Sequence, residues 1–260
     1  LHKRRRRRPV HPITTSGCAL PCPPMPPKVL TSDEVLTRAG FFAGAHLAMS
    51  GCRCSSLPRT AHLGYEFCGT FAPDESRPYG SGARKPLTSP EKIASCLRKL
   101  DGVRGAKALR AALPHIMEGS ASPRESTLAE LVTLPCLRGG SGIKHPLMNA
   151  VVPIPERSRW VTGRSHLRCD LIWPDERVAV EYDSTLCHTG AERIAEDAAR
   201  KDALEALGFT VVTATWKQVE NYQEYNRFAK ALAKHLGTRA RPVCSEYPAR
   251  QLALRRELLG

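Results

Sequence analysis

The chain has 260 residues, an ordinary hydrophobic content of 42% and a net charge of +14 from 39 basic and 25 acidic residues. That length suffices for a sizeable core, as one large domain or two small ones. No uninterrupted apolar run reaches the ~18 residues of a membrane span, so none is expected. Six of the positive charges stand together in Lys3–Arg8, leaving +8 over the rest of the chain.

Residues 1–29 form a basic, proline-rich lead-in with PCPPMPP at 21–27, and are expected to be disordered. Lys3, Arg4, Arg5 and Arg6 are candidate nucleic-acid contacts, because such a run favours polyanions by counterion release. A solvated arm with no specific partner is the other reading of the same residues. The basic start runs into Pro and His with no apolar h-region, so no signal peptide is expected. Cys18 and Cys22, like Cys52 and Cys54, lack the paired spacing of a zinc ribbon or finger. The remaining cysteines are scattered, which suits reduced thiols and a cytoplasmic location.

Residues 30–117 are read as an N-terminal extension, mainly irregular with short helices. LGYEFCG at 63–69 is its most strand-like piece, and a loop of Pro, Gly, Ser and Arg fills 73–89. Ser89-Pro90-Glu91 predicts a capped helix start, and a second helical face runs over about 103–117. From 118 to 236 the pattern is clearer. Ser122-Pro123-Arg124-Glu125 is a capping box, and its helix stops before Pro135. A glycine-rich turn at Gly139–Gly142 leads to a strand at Leu147–Ile154. A hairpin follows, then a helix from Ala191 to Leu207 ended by Gly208 and a strand from Phe209 to Ala214. Thr215-x-x-Gln218 opens a last helix running to about Leu236. This order predicts an α/β domain, a mixed sheet flanked by helices. Residues 237–260 read as a polar, basic tail with only a weak helical pattern at its end.

The hairpin carries the chemistry. In RCDLIWPDERVAVEYDS the two apolar runs are separated by the turn signal Pro174-Asp175-Glu176. Pairing Trp173 with Val178 sets Asp170 opposite Glu181. Period-two alternation then puts Asp170, Ile172, Ala179, Glu181 and Asp183 on one face. Directly opposed like charges destabilise a sheet by up to roughly 1 kcal/mol. A hard divalent cation relieves that repulsion, since Mg²⁺ takes one or two carboxylates plus water. An exposed hairpin face on which the carboxylates are merely solvated is the plain alternative.

The ordered run SPRES, HPLMN, CDLIWPDERVAVEYDS, CH and DAARKDALEALGFTVVTATWKQV resembles the very-short-patch repair endonuclease relatives within the PD-(D/E)xK superfamily. The likeness covers roughly residues 118–236. It implies a restriction-endonuclease-like fold and carries over residue by residue. Asp170 matches the metal-binding Asp, Glu181 the acidic residue of the next strand, and Glu125 the helix carboxylate that often completes the site. Asp183 stands where most members have Lys, His188 matches the histidine after that strand, and Asp197 and Arg200 match a D-x-x-R helix. Ser184 replaces the usual Gly. The implied activity is Mg²⁺- or Mn²⁺-dependent hydrolysis of DNA. Asp170, Glu181 and Asp183 would be the metal ligands, Glu125 and His188 further catalytic residues, and Arg200 a phosphate contact. The competing expectation is a nuclease-fold DNA-binding or regulatory protein, in a toxin–antitoxin or mobile-element setting, with little or no cleavage. Neither reading fixes an oligomeric state.

Overall fold

The computed structural model describes residues 56–259, apart from 75, 77–80, 101, 104, 162, 184–190 and 239–244. The basic lead-in with Lys3, Arg4, Arg5 and Arg6 lies outside the described residues, as does His188.

Helix α1 (Leu57–Cys68) starts at Ser56, whose hydroxyl accepts from the Arg59 N–H at 3.3 Å, with Pro58 in the first turn. It contains most of LGYEFCG, so the expected strand is a helix. The reason is packing: a Cβ at Gly64 would lie 2.3 Å from Ile116 Cδ1. The bare Gly64 surface admits Ile116, which offsets the ~1 kcal/mol that glycine costs inside a helix. Helices α2 (Pro90–Leu97, capped by Ser89) and α3 (Ala106–Ala112) pack on α1 around Ala61, Cys68, Ile93, Leu97, Leu109 and Ile116. The helix expected to reach 117 leaves α-geometry at Ala112 and becomes a 3-10 turn at Leu113–His115. Pro114 has no N–H with which to extend the α-helical ladder past Leu113. At the start of the expected loop at 73–89 and inside it, two short strands pair antiparallel: β1 (Phe71–Pro73) and β2 (Ser81–Ala83).

The second unit is an α/β arrangement around one four-stranded sheet. Its strands are β3 (Leu147–Pro153), β4 (His166–Trp173), β5 (Val178–Asp183) and β6 (Thr210–Thr215), in that spatial order. β3–β4 and β4–β5 are antiparallel, while β5 and β6 run parallel. The parallel pair needs a crossover, and α5 (Ala191–Ala206) supplies it. α5 covers one face of the sheet, with Ala203 and Leu204 against Ile172 and Ala179. The other face packs on α4 (Pro123–Thr133), where Leu128, Leu131 and Val132 meet Leu171, Trp173, Val178 and Val180. The Thr215–Gln218 capping box forms as read and opens α6 (Trp216–Glu220). The expected single helix then breaks at Asn221, whose side chain caps a new one, α7 (Tyr222–His235).

The C-terminal segment corrects the tail expected at 237–260. Residues Tyr247–Leu259 form α8, with Gln251, Leu254 and Arg255 buried and Leu254 in the main core. The turn at Gly139 receives it: Gly139 has φ +89°, and a Cβ there would lie 2.3 Å from the Arg250 carbonyl oxygen.

Candidate functional site

Strict alternation would put Leu167, Cys169, Leu171 and Trp173 of β4 on one face. Instead Leu167 and Cys169 pack with Ile172 and Ala179 on the α5 side, while Leu171 and Trp173 pack on the α4 side. The same reversal occurs on β3, where Met148 packs on the α4 side and Ala150 and Val152 on the α5 side. The residues at the reversal are Asp170 and Asn149, which stand between the facing pairs Met148–Leu171 and Ala150–Cys169. Asn149 absorbs the change with φ 49°, a left-handed conformation that Asn tolerates better than most residues.

On its other side Asp170 ends a ladder. The β4–β5 register runs Trp173–Val178, Ile172–Ala179 and Leu171–Val180, as the sequence predicts. The next pair would be Asp170 with Glu181, but there the Tyr182 N–H donates to Asp170 Oδ2 at 2.7 Å. A side-chain acceptor has replaced the main-chain one, and β5 continues beside β6 alone as far as Asp183–Thr215. Asp170 thus occupies the fork where two strands part. The expectation that Asp170 shares a regular face with Ile172, Ala179, Glu181 and Asp183 is corrected accordingly. Ile172 and Ala179 do share one, whereas Asp170 sits at the reversal.

Glu125 approaches from the first turn of α4. Its Oε2 accepts from the Ala121 N–H at 2.9 Å and from Asn149 Nδ2 at 2.6 Å, and its Oε1 accepts from Ser122 Oγ at 3.0 Å. The capping role read from SPRE is therefore present, and the same carboxylate also faces the fork. Burial raises the Asp170 pKa most, followed by the negative charges of Glu125 and Glu181; together they push it up to about 8. The Tyr182 hydrogen bond and the Arg200 charge act in the opposite sense.

Glu181 is buried and forms an ion pair with Arg200 of α5, Nη2 to Oε2 at 3.0 Å. Beside it, burial and Glu181 hold the Cys169 thiol up at about 12, which keeps it from being a reactive thiolate. Asp183 ends β5, half-buried. Gln218 serves as the cap partner of Thr215, accepting its N–H at 3.0 Å.

Beside the fork lies a cleft of about 740 Å³. Glu125 and Asp170 lie in its lining with five cationic residues, Arg84, Lys85, Arg124, Arg168 and Arg200. Arg84 is held against main-chain carbonyls of Glu66 and Lys85, and the Arg124 guanidinium lies 4.7 Å from the Trp216 ring centroid. Glu181 and Asp183 are not part of that lining. The cleft thus gathers Glu125, Asp170 and Arg200 of the expected set, with Glu181 behind Arg200.

The donor set bears on a metal ion. Among the described residues no group of three or more His, Cys, Asp and Glu side chains is placed to hold one. Asp170 and Glu125 are nevertheless hard oxygen donors, each oxygen with two lone pairs, and burial, with the charges of Glu125 and Glu181 adding to it, holds a proton on Asp170 near neutrality. A divalent cation relieves that crowding in place of the proton. The arrangement fits Mg²⁺ bound through one or two carboxylates with water completing its shell, and does not fit a closed cage of protein ligands.

No family model and no solved structure matches the chain. Two uncharacterised proteins of Mycobacterium tuberculosis, from strains CDC 1551 and H37Rv, are each 32% identical to it over 147 residues. That stretch covers 56% of this chain and 48% of each relative, so the chain spans about half the length of the curated relatives it matches. No helix among the described residues is long and apolar enough to cross a membrane.

Asn149, Arg84, Lys85, Arg124 and Arg168 were not singled out from the sequence. Asn149 stood inside the quoted HPLMN motif, and Arg124 beside the cap. Arg84 and Lys85 reach the cleft through the β1–β2 pairing, which no local pattern announced.

Proposed function

We propose that the protein is a Mg²⁺- or Mn²⁺-dependent DNA endonuclease of restriction-endonuclease-like fold, acting in the cytoplasm. One observation carries this reading: a crowded carboxylate pair at a strand fork, inside a cleft lined by five cationic side chains. A substrate that brings phosphates to the arginines and a metal to the carboxylates satisfies both sets of charges at once. Asp170 and Glu125 would hold the metal, with Glu181 as a further acidic ligand once Arg200 turns to phosphate. When bound, the metal supplies Lewis-acid polarisation and a low-pKa water. Asn149 orients Glu125, and the Tyr182 N–H orients Asp170. Arg84, Lys85, Arg124 and Arg168 hold the phosphodiester backbone without reading bases. Asp183 and His188 are the proposed water-orienting groups.

The Glu181–Arg200 ion pair favours a second reading, a DNA-binding or regulatory protein of the same fold. An arginine already neutralises Glu181, as a metal would. The two are separated by cleavage assays on supercoiled, linear and single-stranded DNA with Mg²⁺ and Mn²⁺. The endonuclease reading expects metal-dependent cleavage that drops by at least about 100-fold in Asp170→Asn, the scale of losing one preorganised charge contact. DNA binding with no metal-dependent cleavage on any substrate would overturn it in favour of the regulatory reading.

A further inference from the structure

The chain has three tryptophans. Trp173 is buried in the core, where its Nε1 donates to the Lys144 carbonyl at 2.9 Å. Trp216 lies half-buried under the Arg124 guanidinium. Trp160, in the loop joining β3 to β4, is 83% exposed. A tryptophan side chain has roughly 200 Å² to bury, so leaving it in water forfeits a large apolar contribution.

Local order rules out a loop that merely failed to pack. Ile154, at its base, is 2% exposed and sits in the core with Leu167 and Cys169. The Ile154 N–H donates to the Ser165 carbonyl at 2.9 Å and closes the loop. Inside it, Ser158 N–H donates to Pro155 O at 2.9 Å and Gly163 N–H to Arg159 O at 2.7 Å, with Gly163 turning at φ +67°. The indole is therefore held out on an anchored platform.

Its surroundings select a partner. Residues 156–168, ERSRWVTGRSHLR, carry Arg157, Arg159, Arg164 and Arg168 against a single acid, Glu156. Arg168 also lines the cleft. At ~3.3 Å per residue along β4, Arg168 stands roughly 7 Å from Asp170 and the loop closure at Ser165 roughly 17 Å.

We propose that Trp160 is a stacking platform for an unpaired nucleic-acid base, on a strand guided from the cleft along Arg168, Arg164 and the flanking arginines. An indole face needs a free π-face, which a single strand or a frayed end offers and an intact duplex interior hides. An anionic lipid surface would also suit arginine and tryptophan. The continuity with the cleft through Arg168 favours the nucleic acid. The strand's route rests on the endonuclease reading; the stacking contact itself does not require cleavage.

The test measures binding of the full chain, in EDTA, to a blunt DNA duplex and to the same duplex with a ten-nucleotide single-stranded overhang. Trp160→Ala should reduce the overhang-to-blunt affinity ratio by about 5- to 150-fold, the effect of one lost base–aromatic stack. Trp160→Phe should restore most of it, and the thermal midpoint should stay unchanged because the side chain is exposed. An unaltered ratio in Trp160→Ala overturns the proposal. So does a loss confined to vesicles containing 30% phosphatidylserine, which would assign the patch to lipid. Separate cleavage assays in Mg²⁺ with wild type and Asp170→Asn keep the two readings apart: cleavage that is absent, or that survives Asp170→Asn, counts against the endonuclease and leaves the stacking result standing.

Discussion

A carboxylate that is taken out of water beside two others of the same sign keeps its proton well above its usual pKa. Asp170 is in that position, raised to about 8 by burial, Glu125 and Glu181. The unfolded chain loses this proton near pH 4, so the folded state gains relative stability from it below that pH. That contribution declines as the pH rises from about 4 through about 8. Metal-free protein should therefore melt lower at pH 8 than at pH 5.5, and Asp170→Asn should flatten much of that dependence. Thermal melts of both proteins across this range in EDTA measure it; parallel curves would mean that Asp170 is ionised without penalty. The carboxylates themselves were legible, because their types, spacing and register follow from alternation and a turn signal. Their geometry was not. The face reversal at Asp170 depends on the positive φ of Asn149 on a neighbouring strand, and no pattern within β4 encodes it.

Elements were legible where a local signal and the packing agree. The caps at Ser89, Ser122 and Thr215 all form, and β5 and β6 are apolar runs with a helix between them. Misreadings arose where tertiary contacts override local composition. Tyr65 and Phe67 around Gly64 imitate a strand, yet the glycine serves a helix crossed closely by Ile116. The weak helical pattern at the end of the tail gave no sign that α8 is packed into the core, because Gln251 and Arg255 are among its buried residues and its inner face is not an apolar stripe. Gln251 Nε2 donates to Asn226 Oδ1 at 3.0 Å, and Arg255 donates to the Val219 and Glu220 carbonyls. If α8 is part of the core, Leu254→Ala should destabilise the protein by about 2–5 kcal/mol, the range for deleting a buried leucine side chain. Denaturant melts check this; a change under about 0.5 kcal/mol would return the segment to the status of a tail.

At the scale of the whole molecule, the sheet and the start of α4 supply one acid each, and the segments around them supply most of the cations. Asp170 lies on β4 and Glu125 at the start of α4, while Arg84 and Lys85 come from the stretch after β2 and Arg200 from α5. The extension at 30–117, read as mainly irregular with short helices, therefore contributes one wall of the cleft in its described part. From the sequence, the candidate contacts for a polyanion were Lys3, Arg4, Arg5, Arg6 and Arg200; of these Arg200 lines the cleft, and Arg84, Lys85, Arg124 and Arg168 join it there only because distant parts of the chain converge on folding. Whether the fork carboxylates form one cation site is decided by melting wild type and Asp170→Asn with and without millimolar Mg²⁺ at pH 8. A ligand bound only to the folded state at 100 times its Kd adds about 2.7 kcal/mol, worth several degrees in a chain of this size. A shared site gives such a rise in wild type and loses it in Asp170→Asn, whose metal-free midpoint should equal or exceed that of wild type. Identical responses of the two proteins to Mg²⁺ would contradict it.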